Sequence, residues 1–302
     1  MTRPPGVPRR GAAYNGDVHD VNADLHCHST VSDGTLSPEQ LARRAKDNGV
    51  ELWSLTDHDE LAGQHRAAAV ARSVGLDYLA GVEISVSFCG QTVHVVGLGI
   101  DPDDRALQQG LADTRSGRAR RAQAMGESLA AVGIAGAYDG AEALAGNPDL
   151  VTRTHFARWL VGTGVCRDAH EVFRRYLTPG KPGYVETQWA SLRDAVRWIR
   201  GAGGIAVIAH PARYKFSANE EWALFEEFKV HGGRALEVQT AAHTASDVAR
   251  YADSALEYGL LASRGSDFHS PDESRIELGA LPPLPTALTP VWSELQARIA
   301  RA

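Results

Sequence analysis

Histidine and acidic side chains recur in short clusters along most of this 302-residue chain. Nine of them carry donor atoms suited to divalent metal ions: His26, His28, Asp33, His58, Glu83, His94, His155, Asp267 and His269. Mixed imidazole and carboxylate donors suit Mn²⁺ above all, and also Fe²⁺ or Zn²⁺. Two close ions can generate a bridging hydroxide near neutral pH and neutralise phosphate oxygens. The clusters together therefore predict a site of two to three metal ions that hydrolyses a phosphate ester.

The spacing within the clusters favours shared ligation. His26 and His28 are two residues apart. On a strand their imidazoles point to the same face, and the Cys27 side chain points to the opposite face. Cys27 is therefore predicted to be a packed thiol rather than a nucleophile. Glu83 closes an apolar strand, where a lone buried carboxylate would be costly and a metal ion would offset that cost.

Individual members of the set have ordinary interpretations as well. Asp33 lies in a Ser-Asp-Gly stretch that suits a solvated turn, and His94 interrupts a run of valines that suits a hydrogen-bonded core histidine. Asp57 and Asp59 flank His58, and either could hold the second ring nitrogen of a metal-bound histidine instead of binding metal. The prediction therefore depends on the whole set.

Alternating strands and helices must position these residues. The predicted strands are Val21–Leu25, Leu52–Thr56, Tyr78–Glu83, Ile84–Phe88, Thr92–Gly99, Ile205–Ala209, Leu236–Val238 and Leu260–Ser263. Helices are predicted from Ser37 to Gly49 and over Leu61–Ser73, Ser191–Arg200, Glu220–Val230 and Ala245–Tyr258. Repeated β-α units predict an α/β barrel with a parallel sheet. Most candidate ligands, and His210, lie at carboxyl ends of strands, where barrel active sites gather.

The domain organisation follows from where this alternation stops. Residues 101–180 show helical periodicity and no convincing strand, so we predict a mainly helical insertion within a body formed by residues 22–100 and 181–302. Residues 1–21 are rich in Pro, Arg and Gly and are predicted to be a weakly ordered tail, with a basic docking arm as the alternative.

Composition excludes several classes of function. The net charge of −6 argues against a broad nucleic-acid-binding face, though not against a small anionic ligand. Three cysteines without a CxxC pair predict reduced thiols in a cytoplasmic protein. No apolar run reaches the roughly 18 residues that a membrane span needs, so no membrane partner is expected.

The ordered motifs resemble the PHP (polymerase and histidinol phosphatase) family over about residues 22–275. The resemblance is carried by Asp24-Leu25-His26-Cys27-His28-Ser29, Ser32-Asp33-Gly34, Thr56-Asp57-His58-Asp59, Gly81-Val82-Glu83 and Ser266-Asp267-Phe268-His269. It implies a distorted (β/α)7 barrel with a trinuclear metal site at the carboxyl-end mouth. The implied ligand sets are His26, His28, Glu83 and Asp267 for one ion; Glu83, His94 and His155 for a second; and Asp33, His58 and His269 for the third.

The insertion and a later Thr178-Pro179-Gly180-Lys181 stretch are similar to a branch of that family. The branch contains 3′,5′-nucleoside bisphosphate phosphatases and 5′→3′ exoribonucleases, which implies a small nucleotide or short 5′-phosphorylated RNA as substrate. We expect Glu83 and His210 to act in catalysis. The candidates for substrate contacts are Arg153, Arg158, Lys181, Arg213 and again His210, with ordinary surface ion pairs as the alternative. A phosphatase of another phosphomonoester, such as histidinol phosphate, and a non-catalytic metal-binding module stay open.

Overall fold

Two β-sheets carry the segments that end in the candidate ligands, in a computed structural model that describes residues 21–302. The strands are β1 (Ala23–Asp24), β2 (Leu52–Trp53), β3 (Asp77–Tyr78), β4 (Gly81–Phe88), β5 (Gln91–Leu98), β6 (Ile205–Ile208), β7 (Ala235–Thr240) and β8 (Leu261–Gly265). β1, β2 and β3 form a parallel sheet. The second sheet has the order β4-β5-β6-β7-β8, with β5 antiparallel to both neighbours and β6 to β8 parallel.

Backbone hydrogen bonds join the two sheets at their ligand-bearing ends. The Leu25 N–H donates to the Arg264 carbonyl (3.1 Å) beside β8, and the Asp59 N–H donates to the Glu83 carbonyl (2.9 Å) in β4. The carboxyl ends of β1, β2 and β8 therefore surround one opening. The expected α/β architecture is confirmed. A closed seven-stranded barrel is not confirmed, because the eight strands of residues 21–302 belong to two sheets, one of three strands and one of five.

Helices follow the strands, and their starts agree with local capping rules. They are α1 (Pro38–Asp47), α2 (Gln64–Ser73), α3 (Arg105–Ala131), α4 (Ala137–Leu144), α5 (Arg153–Gly162), α6 (Ala169–Val172), α7 (Leu192–Gly201), α8 (Ala218–Val230) and α9 (Ala245–Tyr258). Ser37 caps α1 by accepting the Gln40 N–H, and Pro38 occupies the first turn, where its missing N–H costs nothing. Short 3-10 segments and one π-helical turn (Phe173–Leu177) complete the described elements.

The segment between β5 and β6 is helical throughout its secondary structure. It contains α3 to α7, and the described residues of this segment include no strand. Leu129, Phe156, Leu160 and Val172 are fully buried in an apolar cluster formed within this segment. Because apolar burial is the main force that stabilises folded units, this cluster explains how the helices between β5 and β6 hold together beside the sheets. Whether they form an inserted domain stays a prediction.

The main core lies between the five-stranded sheet and the helices α7, α8 and α9. Val95, Val207 and Leu236 are fully buried there, as the near-continuous apolar runs of these strands predict. Of the predicted tail, residues 1–21, only Val21 lies in the described range, and it is buried. Within residues 21–302 no helix has the length and apolar character to cross a bilayer.

Candidate metal centre

Four overlapping groups of donor atoms lie at the opening between the two sheets. The groups are His28, Asp33, His58 and His269; His26, Glu83 and His210; His26, His28 and Asp267; and His58, Glu83 and His94, with donor atoms within 4.8 Å of one another in each. They contain every predicted ligand except His155, and they add His210. The structure therefore brings together residues that are up to 243 positions apart in the chain.

Strand alternation explains why the side chains at the β1 and β8 ends converge. An isolated β-bridge pairs Cys27 with Phe268. The residues before and after each of these two therefore point to the face opposite to the Cys27 and Phe268 side chains. Those neighbours are His26, His28, Asp267 and His269. Cys27 is fully buried and faces the Trp53 indole N–H, which donates to its Sγ (3.2 Å). The prediction of a packed thiol is confirmed.

The Glu83 carboxylate is the centre of the site. Its Oε1 lies 2.9 Å from His94 Nδ1 and 3.1 Å from His210 Nε2, while its Oε2 lies 2.8 Å from His58 Nδ1. Burial alone would raise the pKa of Glu83, yet charges on His94, His58 and His26 hold that pKa well below its ordinary value. Glu83 is thus a fully buried carboxyl group whose surroundings favour its charged form, as a ligand for cations requires.

The charge of the whole cluster favours cations. Burial opposes ionisation of Asp33 and Asp267, but nearby histidines hold the pKa of both carboxyl groups well below the usual range. Burial also opposes charge on His28, and Asp267 and Glu83 nevertheless raise its pKa to about 10. The carboxylates that raise the pKa of His28 are the groups that would attract a metal cation to the same place.

Unsatisfied donor atoms show that the residues fit metal ions. Glu83 Oε2, His58 Nδ1 and Asp33 Oδ1 are buried and make no hydrogen bond. Glu83 Oε2 and His58 Nδ1 lie 2.8 Å apart, but the two groups are not oriented to form a hydrogen bond. Asp33 Oδ1 faces His269 Nε2 at 3.4 Å and His58 Nε2 at 3.9 Å. Buried polar atoms without partners are costly, and divalent cations bound by these carboxylates and imidazoles would remove that cost.

A layer of buried acids holds the ligand-bearing loops in place. Asp57 accepts hydrogen bonds from the Ser29 N–H (2.7 Å), the Ser29 hydroxyl (2.7 Å) and the Ser32 hydroxyl (2.6 Å). Asp59 pairs with the Arg118 guanidinium (Oδ2 to Nε 2.8 Å). Neither acid belongs to a donor group. Neither acid hydrogen-bonds a histidine ring nitrogen within residues 21–302, so the predicted contact with a metal-bound histidine is wrong. Their oxygens instead hold the backbone and the serines of the ligand-bearing loops.

Glu237 is a site residue that was not predicted from the sequence. It lies in β7 with 1% exposure, and its Oε1 accepts a hydrogen bond from His26 Nδ1 (2.7 Å) while its Oε2 accepts the His210 N–H (2.6 Å). A carboxylate can only accept, so the proton of His26 sits on Nδ1 and Nε2 is left toward the donor groups. Its signal in the sequence is an acid between two apolar strand residues, Leu236 and Val238.

His210 and His155 differ from the predicted assignment. His210 follows β6 with φ +28° and ψ 58°, a strained conformation that directs its Nε2 to Glu83. His155 is buried at the start of α5, where its Nδ1 accepts the Thr152 N–H (3.0 Å), and it joins no donor group within residues 21–302. The capping interaction of α5 uses Nδ1 of this imidazole, and the role of His155 as a metal ligand stays a prediction.

Similarity to known proteins agrees with this geometry. Residues 24–133 match the PHP domain. Over 281 residues the chain is 51% identical to the 3′,5′-nucleoside bisphosphate phosphatase of Chromobacterium violaceum, an alignment that covers 93% of this chain and 99% of that protein. The chain belongs to the PHP domain family. As a member of that metal-dependent phosphoesterase family, it is a hydrolase.

Two further proteins are similar to this chain along most of their length. The 5′-3′ exoribonuclease of Haemophilus influenzae is 41% identical over 271 residues, which is 90% of this chain and 98% of that protein. A solved amidohydrolase structure from Chromobacterium violaceum is 51% identical and superposes with a TM-score of 0.90, covering 93% of this chain and 98% of that one. The fold described above is therefore the PHP fold.

Arginines surround the mouth of this PHP site. Arg153 and Arg213 line the same cavity as the metal-site residues, as predicted for substrate contacts, and so do Arg118 and Arg121 of α3, whose roles the sequence did not predict. Arg121 donates only to the Val185 carbonyl (3.1 Å), and neither Arg121 nor Arg153 forms an ion pair with the described residues. Burial, followed by the charges of Arg153 and Arg118, lowers the pKa of Arg121 to about 9.

The other two predicted substrate contacts lie elsewhere. Arg158 donates to the Asp33 carbonyl (2.7 Å) and forms a bidentate pair with Glu273 (2.8 and 2.7 Å), so its guanidinium is already used in holding the Asp33 loop. Lys181 is exposed and does not line the cavity that contains the donor groups. A substrate role for these two residues stays a prediction, and the contacts of Arg158 favour a structural one.

Proposed function

We propose that this PHP protein removes the 3′-phosphate of nucleoside 3′,5′-bisphosphates and also releases nucleotides from the 5′ end of short 5′-phosphorylated RNA. The names of its relatives from Chromobacterium violaceum and Haemophilus influenzae support these two substrates. The observation that carries the proposal is the pairing, in one cavity, of a metal-binding cluster with two guanidinium groups that lack carboxylate partners, Arg121 and Arg153. The metal-binding cluster suits the phosphate that is cleaved, and the two arginines suit a second phosphate on the same substrate.

Both reactions break the same bond. In a 3′,5′-bisphosphate, water attacks the 3′-phosphorus, the P–O3′ bond breaks, and the 3′-oxygen takes a proton to give a 5′-nucleotide and orthophosphate. In 5′-phosphorylated RNA, cleavage of the first P–O3′ bond gives a 5′-nucleotide and a shortened chain that again begins with a 5′-phosphate. One site therefore serves both substrates, provided that it holds a 5′-phosphate at a fixed distance from the reacting phosphorus.

The donor groups would hold two to three divalent ions, with Mn²⁺ the proposed metal and Fe²⁺ or Zn²⁺ compatible with the same ligands. We assign His26, His28, Glu83 and Asp267 to one ion, Glu83, His94 and His210 to a second, and Asp33, His58 and His269 to a third. His210 is included because its Nε2 is 3.1 Å from Glu83 Oε1, and His155 stays the further ligand of the second ion that the family resemblance implies. Bound ions would neutralise phosphate oxygens and lower the pKa of water.

The arginines give the site its selectivity. Arg121 stacks on the Trp189 ring (5.3 Å from the centroid) and Arg153 on the Phe173 ring (5.9 Å), contacts that hold a guanidinium without neutralising its charge. The positive charges of Arg121 and Arg153 repel each other in this half-buried cavity. A dianion such as a 5′-phosphate would relieve that repulsion and is therefore a favourable ligand for the two arginines. Arg213 donates to Asp267 Oδ2 (2.7 Å) and would brace that metal ligand.

Two coarser features complete the proposal. The backbone links between β1 and β8 and between β2 and β4 are compatible with an open, distorted barrel of the (β/α)7 type. Three free cysteines, Cys27, Cys89 and Cys166, are compatible with a cytoplasmic location, where thiols stay reduced. The substrate is then a small cytoplasmic nucleotide or a short RNA.

The test is a substrate panel with product analysis. Mn²⁺-loaded protein is incubated in ¹⁸O-water with adenosine 3′,5′-bisphosphate, with a 5′-phosphorylated RNA pentamer and with histidinol phosphate. We expect 5′-AMP and ¹⁸O-labelled orthophosphate from the first. From the RNA we expect an unlabelled 5′-mononucleotide from the first position and labelled 5′-mononucleotides from the later positions. Both activities should be lost in Glu83→Gln but not in the exposed-site control Glu257→Gln. Hydrolysis of histidinol phosphate alone, or of no substrate by metal-loaded protein, would contradict the proposal.

A further inference from the structure

A second cavity adjoins the metal site and has no role in hydrolysis of a mononucleotide. We refer to it as the side cavity; it is lined in part by Ala241, Ala242 and Arg275 and has a volume of about 460 Å³. The cavity that holds the donor groups has a volume of about 100 Å³. Ligand sites for molecules of nucleotide size are about 300–1,000 Å³, so the side cavity is the space of that size next to the reacting phosphorus.

The two cavities share one wall. Phe173, Arg213, Asp267 and His269 line both of them. Arg118, Arg121 and Trp189 line only the metal cavity. The side cavity therefore opens through the wall formed by Asp267 and His269. Of the two arginines proposed to bind the 5′-phosphate, neither lines the side cavity, and Arg153 stacks on Phe173 of the shared wall.

The charges around the side cavity favour an anion. Glu273, the acid on its wall, is paired with Arg158 (2.7 Å), and Asp267 is paired with Arg213 (2.7 Å). Arg275 is exposed and forms no ion pair with the residues from 21 to 302. The Arg275 guanidinium thus carries an unpaired positive charge at a cavity whose two carboxylates are paired with arginines. Such a charge attracts the phosphates of a nucleic-acid backbone.

We propose that the side cavity binds the part of a single RNA strand that follows the scissile phosphate, with the next ribose inside the cavity and the following phosphodiester at Arg275. The proposal rests on the proposed function. It follows from the bond that breaks: the 3′-oxygen leaves, so the remaining strand stays attached to phosphorus through a non-leaving oxygen and must have room beside the metal site. A bisphosphate carries no such group and leaves the side cavity empty.

The test compares two substrates on variants of the side cavity. Ala242 lies half-buried in the turn after β7 and is not itself a proposed metal ligand, and Ala242→Trp would place an indole in the cavity. We expect kcat/KM for a 5′-phosphorylated RNA pentamer to fall by at least about tenfold and kcat/KM for adenosine 3′,5′-bisphosphate to stay within about twofold. Arg275→Ala, at an exposed position, should raise KM for the pentamer only and reduce the salt slope of its binding by about 0.7.

A matched control is Thr187→Trp, which enters a third cavity, of about 410 Å³, beside the β4–β5 turn. This cavity shares Thr92 with the metal cavity but shares no lining residue with the side cavity. Thr187→Trp should change the turnover of neither substrate. Selective loss of RNA cleavage in Thr187→Trp instead of Ala242→Trp would overturn the proposal, as would equal losses on both substrates in folded Ala242→Trp and Arg275→Ala. Wild-type protein that hydrolyses the bisphosphate and no RNA would overturn this inference and the RNA half of the proposed function. Inactivity on both substrates would refute the whole proposed function. RNA hydrolysis that Ala242→Trp and Arg275→Ala leave unchanged would overturn this inference alone.

Discussion

Removal of the Glu237 carboxylate should weaken metal binding although Glu237 is not itself a proposed ligand. In Glu237→Ala, His26 Nδ1 loses an acceptor at 2.7 Å and the His210 N–H loses one at 2.6 Å. Partners behind metal-bound histidines typically contribute 10- to 100-fold to metal affinity. That range equals about 1.4–2.7 kcal/mol, which agrees with the roughly 1.5–3 kcal/mol of a hydrogen bond to a charged group.

The assay is calorimetric titration of metal-free protein with Mn²⁺, with metal content after dialysis as a second readout. We expect the dissociation constant of at least one ion to rise by about 10- to 100-fold in Glu237→Ala. Glu237→Gln keeps the size of the side chain and one acceptor oxygen, so it should restore part of the affinity. Glu257→Ala, at an exposed site on α9, is the control and should bind Mn²⁺ as wild type does. Unchanged affinity in folded Glu237→Ala would refute the positioning role.

Three further predictions follow from the same contacts. Arg121→Ala or Arg153→Ala should lower kcat/KM for adenosine 3′,5′-bisphosphate by about 10- to 100-fold but leave adenosine 3′-monophosphate unaffected, and equal losses on both would contradict a 5′-phosphate site. Gly265→Ala would place a Cβ 2.3 Å from His26 Cβ and should destabilise the fold by about 1–3 kcal/mol in urea unfolding, whereas Gly117→Ala, in open space on α3, should not. Chelation of metal should lower Tm by roughly 5–10 °C, reversibly with Mn²⁺ at about 100 times its dissociation constant, and an unchanged Tm would argue against stabilisation by metal.

Much of the site could be predicted because its motifs are local. His26 and His28, or Asp267 and His269, are separated by one residue, and strand alternation alone places each pair on one face. The choice between His155 and His210 could not be made in this way. Both follow predicted element boundaries, and only the packed structure shows that the capping interaction with Thr152 uses Nδ1 of His155.

The fold shows the same division between local and long-range information. Helix α9 begins and ends where the pattern predicts, because its capping residue and its Gly259 end are local signals. The predicted strand Tyr78–Glu83 is instead divided between β3 and β4. Gly81 packs tightly there, since a Cβ would lie 2.4 Å from Ser54 Oγ, and a contact with a residue 27 positions away has no signature in the local pattern.

The most direct test of the central claim is orthophosphate release from adenosine 3′,5′-bisphosphate by metal-free protein as Mn²⁺ is added back. The account predicts turnover that rises with bound Mn²⁺ and saturates when the site is filled. In Glu83→Gln the rate should fall by more than the roughly 100-fold expected for loss of a residue that only supports a metal ligand. Glu83 lies 3.3 Å from His28, a proposed ligand of the first ion, and 2.9 Å from His94, a proposed ligand of the second. Equal turnover by metal-free and Mn²⁺-loaded protein, or wild-type rates in folded Glu83→Gln, would contradict the account.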